Sequence, residues 1–129
     1  MFARKGRQFQ ITVEQCLSAT PVRNPQAQET DLAGGRLELT LPCRKPWLIR
    51  ILSRRDRKTF LRRFELDEIG ADSWRQIDGT RTVSELVEHL VSTRHFSPPQ
   101  ARQSMISFLH TLMTRGLVGL IVPDGKGSG

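Results

Sequence analysis

Three histidines (His89, His95, His110), two cysteines (Cys16, Cys43) and the acids Asp67, Glu68 and Asp72 are the side chains with which this chain could ligate a metal, attack an electrophile or move a proton. Their spacing assembles none of these. The cysteines lie far apart and match no zinc pattern, so reduced thiols are expected. His89 and His110 each adjoin an apolar helix position, as surface rings beside core residues do. The three acids fall at the start of a helix, where negative charge complements the helix dipole. No general acid–base pair is supported. No phosphate-binding glycine loop, nucleophile elbow or His-Glu-x-x-His helix occurs. We therefore expect no catalytic residue, no metal and no cofactor.

The chemistry that remains is that of charge and of the main chain. The net charge of +7 is uneven: residues 1–66 hold 14 basic and 6 acidic residues, while residues 67–129 hold 6 and 7. Most of the surplus falls in "RKPWLIRILSRRDRKTFLRR", residues 44–63, with nine basic residues against Asp56. Such density attracts phosphates, anionic lipid or an acidic peptide, or simply keeps a loop solvated. No run approaches the roughly 20 apolar residues that cross a bilayer. The basic N-terminus "MFARKGRQFQITVEQC" is followed by no unbroken apolar block, so a secretory signal is not expected and a cytoplasmic protein is.

The elements that must position these groups read as strands, then helices, then a last strand. A length of 129 residues allows one modest core. "QITV", residues 10–13, suggests a short strand, and "TPVRNPQAQETDLAGG" an extended or irregular segment. In "RLELTLP", Leu37, Leu39 and Leu41 alternate with polar residues, the period of a half-buried strand. Its expected hairpin partner lies near residues 26–30, with the turn at 31–35. Trp47, Leu48, Ile51 and Leu52 would share one face of a short basic helix, suited to a membrane surface or to an insert folded onto its own domain. In "KTFLRRFEL", Phe60, Phe64 and Leu66 face one way and Thr59, Leu61, Arg63 and Glu65 the other, with Arg62 interrupting the apolar side.

Asp67 then caps a first helix carrying Ile69, Trp74 and Ile77, which stops at Asp78-Gly79. Thr82 and Glu85 form a capping box for a second helix, with Val83, Leu86, Val87, Leu90 and Val91 as its stripe. Ser97-Pro-Pro-Gln100 opens the third, with Pro98 at its first position and Met105, Phe108, Leu109, Leu112 and Met113 along it. Gly116 closes it. "LVGLIV" is a short strand before a "DGKGSG" tail. The fold class is α+β: a small N-terminal antiparallel sheet followed by a three-helix winged helix-turn-helix bundle. We divide the chain into a partly flexible extension (1–24), the folded domain (25–122, with a basic insert at 42–58) and a tail (123–129).

The ordered set "FELDEIGADSW", "IDGTRTVSELVEHL" and "SFLHTLMTRGLVGL" resembles the PqqD-like family, named after component D of pyrroloquinoline quinone biosynthesis. The matching features are Leu-Asp at the start of the first helix, the Asp-Gly-x-x-Thr-Val turn, and Leu-x-x-x-Gly-Leu at the end of the third. They cover under half of the chain. The basic tryptophan-bearing insert and the N-terminal residues depart from the short family pattern. The resemblance implies a winged-helix domain that binds the leader of a ribosomally made precursor peptide and presents it to a tailoring enzyme, often of the radical S-adenosylmethionine type. The leader adds as a strand to the sheet edge and lies against the third helix. Carried onto this sequence, the edge is residues 59–65 and the helix residues 100–113. The candidate contacts are Thr59, Phe60, Leu61, Arg62, Arg63, Phe64, Arg102, Met105, Phe108, Leu109 and Leu112.

The alternatives are a winged-helix DNA binder and a membrane-surface or scaffold protein using the Trp47 insert. Nucleic acid is not the expected partner, because residues 83–91 carry Glu85, Glu88 and His89 but no Lys or Arg. An open sheet edge also permits a homodimer by strand pairing.

Overall fold

The computed structural model describes residues 12–42 and 62–123. In chain order these form α1 (Val13–Ser18), β1 (Thr20–Arg23), β2 (Gln28–Asp31), β3 (Leu37–Leu41), β4 (Arg62–Leu66), α2 (Glu68–Arg75), α3 (Val83–Arg94), α4 (Pro98–Thr114) and β5 (Val118–Ile121). The class is α+β, with small antiparallel sheets, three consecutive helices and a C-terminal strand. The chain divides into two compact units, residues 24–75 and residues 1–23 with 76–129.

The first unit is built on a three-stranded antiparallel sheet in the order β2-β3-β4. The expected hairpin forms: β2 turns through Leu32 and a 3-10 segment, Ala33–Gly35, into β3. Leu37, Leu39 and Leu41 are buried and stand opposite Leu66, Phe64 and Arg62 of β4. Directly opposed residues of an antiparallel pair share a face. The alternation in β3 therefore collects an apolar row, and each leucine contributes about 1.5–3 kcal/mol by leaving water. Helix α2 begins directly after β4. The Asp67 carboxylate accepts the Gly70 N–H at 2.7 Å, as expected of the cap. Trp74 is fully buried and donates its Nε1–H to the Glu29 carboxylate of β2 at 2.9 Å, and Arg75 pairs with Asp31 at 3.0 Å. Glu29 and Asp31 lie opposite Leu39 and Leu37, so both polar links reach the apolar face of the sheet.

The second unit holds α1, α3, α4 and a two-stranded sheet of β1 and β5. Val83, Leu86, Val87 and Leu90 of α3 and Ala101, Met105, Leu109 and Leu112 of α4 form its buried stripes. The expected capping box of α3 is present: Glu85 N–H donates to Thr82 Oγ1 at 3.2 Å, and Thr82 N–H donates to the Glu85 carboxylate at 2.8 Å. At α4 the Ser97 hydroxyl accepts the Gln100 N–H at 3.3 Å. Gly116 adopts φ 78°, which lets Gly116 and Leu117 return their N–H groups to the Met113 and Leu112 carbonyls at 3.0 and 2.9 Å.

Two features differ from expectation. Residues 12–18, read in part as a strand, are the cap and body of α1. Thr12-Val-Glu-Gln15 is itself a capping box, with Gln15 N–H donating to Thr12 Oγ1 at 3.0 Å and Thr12 N–H to Gln15 Oε1 at 2.9 Å. Two satisfied donors outweigh the modest strand preference of Val13 and its neighbours. The segment read as irregular contributes β1, and β5 pairs with it rather than with the larger sheet, Thr20 facing Ile121 and Arg23 facing Val118. Residues 12–23, placed in an extension by sequence, thus carry a helix and a paired strand. The expected basic helix at 47–52, Cys43 and the tail from 124 lie outside the described residues.

Replacing Trp74 with alanine is expected to cost about 3–5 kcal/mol through lost burial and the cavity left behind. Thr82→Ala should cost about 1 kcal/mol through the lost cap. Urea unfolding followed by circular dichroism measures both. Equal losses for the two variants would contradict this ranking.

Candidate functional site

Strand β4 exists because Arg62–Leu66 alternates in burial: Arg62, Phe64 and Leu66 are half-buried, while Arg63 and Glu65 are exposed. Its hydrogen-bonded neighbour is β3. Among the described residues no strand pairs with its other side. Alternate backbone N–H and C=O groups along that side are those through which a further strand would add. On the wet face Arg36 pairs with Glu65. On the other face the Arg62 guanidinium carbon lies over the Phe64 ring, 5.9 Å from its centroid. A cation at that distance is attracted by the ring quadrupole. The Arg62 Nε is buried and, among the described residues, donates to no acceptor. Of the six candidates between 59 and 65, Arg62, Arg63 and Phe64 are thus placed on one strand. Thr59, Phe60 and Leu61 lie outside the described residues.

The remaining candidates are on α4, in the other unit. Met105, Leu109 and Leu112 are buried along its inward stripe. Phe108 is half-buried at the margin of that stripe, and Arg102 is exposed. The outer side of α4 carries a groove of about 480 Å³ lined by Val13, Pro99, Arg102, Ile106 and His110 among others. The sequence reading named Arg102 but missed Ile106 and Val13. The signal was the spacing 102, 106, 110, one residue per helical turn, which places Ile106 between two polar side chains on a single outward face.

The groups that could have done chemistry are dispersed. His89 is half-buried in α3, His95 is the left-handed C-cap of α3 with φ 59°, and His110 is exposed on α4. Cys16 is a buried free thiol, and burial pushes its pKa up, away from nucleophilic use. Among the described residues no group of three His, Cys, Asp or Glu side chains could hold a metal ion. No helix among them is long and apolar enough to cross a membrane.

One shifted carboxylate lies in a turn. The Asp78 carboxylate accepts the N–H groups of Thr80 and Arg81, each at 3.0 Å, and the Thr80 hydroxyl at 2.9 Å. These bonds favour the ionised form and lower its pKa to about 2 from the ordinary 3.8. Gly79 sits inside this loop at φ 85°. The Asp-Gly-x-x-Thr pattern therefore builds a closed Asx turn that delivers the chain to the Thr82 cap.

Comparison with known proteins places this geometry. Residues 59–118 match the family model described as Coenzyme PQQ synthesis protein D (PqqD). A search of curated proteins finds no match. Among solved structures the chain is similar to one described as TbiB1 in complex with the TbiA(beta) leader peptide. The identity is 14%, the TM-score is 0.56, and the match covers 75% of this chain and 93% of that one. The likeness in sequence is slight, and what the two share is the fold.

Because Asp78 is lowered in the folded state, its contribution to stability is present above pH 4 or so and is lost as pH falls through about 2. Carboxyl-detected NMR titration should find Asp78 half-protonated near that value. A midpoint near 3.8 would show that the turn bonds do not form.

Proposed function

From the PqqD-family match across residues 59–118, we propose that this chain is a non-catalytic peptide-binding adaptor. It captures the leader segment of a ribosomally made precursor by strand addition along β4 and presents it to a modifying enzyme. The observation that carries this reading is β4 itself: an outer strand inside the matched region, hydrogen-bonded to β3 on one side, with a half-buried face of Arg62, Phe64 and Leu66. Main-chain bonds of an added strand supply affinity with little demand on sequence, and side chains on alternate positions supply selectivity. The similarity in fold to TbiB1, solved with a leader peptide, supports the same use of the fold here.

The other outer strand, β2, suits the role less well. Its four residues are all exposed, and Glu29 and Asp31 are committed to Trp74 and Arg75. A DNA-reading role suits α3 poorly. Its exposed positions include Glu85 and Glu88, and its one arginine, Arg94, lies in the last turn. Phosphate contacts need cations along such a helix.

In this reading the adaptor needs no cofactor of its own, and the tailoring enzyme, of radical S-adenosylmethionine type in the resembled family, supplies the chemistry. Arg63 and Arg102, both exposed, would bias an acidic leader's approach. Each exposed ion pair adds only about 0.2–1 kcal/mol, so their effect falls on association rate and orientation.

The test is titration of isotope-labelled protein with synthetic peptides spanning the leaders encoded beside this gene. We expect saturable amide shifts at Arg62–Leu66 with little change along α3. The reading fails if no leader moves β4, or if β4 proves occupied by a second copy of the chain at all concentrations. It also fails if a random duplex binds more tightly than any leader with steep salt dependence.

A further inference from the structure

We propose that Arg62 is a specificity-determining residue of this strand and that the segment added to β4 carries an aspartate or glutamate at the position facing it. This rests on the adaptor reading above. Arg62 stands at one end of β4, opposite Leu41, on the face that β3 fills with leucine. Its neighbour on that face, two residues on, is Phe64, whose ring holds the guanidinium carbon at 5.9 Å. A guanidinium cannot lose its proton, so it remains charged in this apolar row. Among the described residues its buried Nε–H has no acceptor. Buried donors are nearly always satisfied, and one that is not marks a place where a partner is missing.

Five described acids of the same unit are engaged or face elsewhere. Glu65, on β4 itself, is on the opposite face and pairs with Arg36. Glu29 and Asp31 share the face of Arg62 but lie on the far strand, where they accept from Trp74 and Arg75. Asp67 caps α2. Glu38 stands opposite Glu65, on the wet face.

A strand added to the outer side of β4 would place one of its residues directly across from Arg62. The Cβ atoms of such a pair are about 4.5–5.5 Å apart. A carboxylate there can accept from Nε and a terminal nitrogen together, the two-bond fork that arginine offers and lysine does not. An amide side chain at the same place offers one acceptor and no charge. The ring of Phe64 keeps the guanidinium in place before the peptide arrives, so little side-chain entropy is lost on binding. Arg63, exposed on the other face, has no such constraint and discriminates less.

The experiment takes each leader that shifts β4, changes its acids one at a time to the corresponding amides, and measures affinity by fluorescence anisotropy. The proteins are the full chain, its Arg62→Gln variant and its Arg62→Lys variant. One acid-to-amide change should weaken binding to the natural chain by about tenfold or more, as loss of a charge-assisted bond does. The same change should have little effect on Arg62→Gln. Arg62→Lys should recover only part of the discrimination. If a leader binds but none of its acids shows this coupling, the assignment to Arg62 is overturned while the adaptor reading stands. If no leader binds, both fall. Should Arg62→Gln fail to fold, the acid series on the natural chain and on Arg62→Lys decides: a uniform response to every acid overturns the proposal.

Discussion

The antiparallel ladder between β3 and β4 is the constraint on which the candidate site depends. Its register sets Leu37, Leu39 and Leu41 against Leu66, Phe64 and Arg62. A slip of one residue would turn every one of these side chains to the other face. The buried leucines forbid that slip, because their transfer from water is the main local gain. The same register carries one arginine into an apolar row and sends Glu65 to the wet side, where Arg36 takes it. The unusual polar feature of β4 is thus a consequence of how the strand is held.

Local hydrogen-bond closure does comparable service elsewhere. All four described helices start on a side chain that folds back onto a free N–H: Thr12 for α1, Asp67 for α2, Thr82 for α3 and Ser97 for α4. Asp78 closes the loop ahead of Thr82 with three bonds to one oxygen. Each cap is worth roughly 1 kcal/mol, a sizeable share for a small domain whose net stability is about 5–15 kcal/mol. Such closures also fix where each helix begins, which a binding surface on a strand requires of its support.

Much of this was legible in residue order. The alternation of Leu37, Leu39 and Leu41, the Thr82–Glu85 box, the Asp67 cap, the stripe of α3 and the Gly116 stop are all short-range patterns with direct physical meaning, and each appears where expected. The box at Thr12–Gln15 carries the same signal and was passed over because "QITV" offers β-branched residues at strand spacing. On α4 the periodicity that marked Met105, Leu109 and Leu112 as a stripe said nothing of whether that stripe faces a ligand or the core. In the structure the three are buried along the inner side, with Phe108 half-buried and Arg102 exposed.

What the amino-acid order determined by itself was the element sequence, the caps and the apolar faces. These arise from interactions within a few residues or from the period of a side-chain pattern, and neither needs a distant partner. What only the tertiary structure decided was which distant segments pair and which polar groups of the described residues lack a partner. β1 and β5 lie nearly a hundred residues apart and share no sequence mark that says they will meet. The lack of an acceptor for the Arg62 Nε among the described residues depends on where Glu29, Asp31 and Glu65 each found another donor, a matter of relative position in three dimensions that no local spacing encodes.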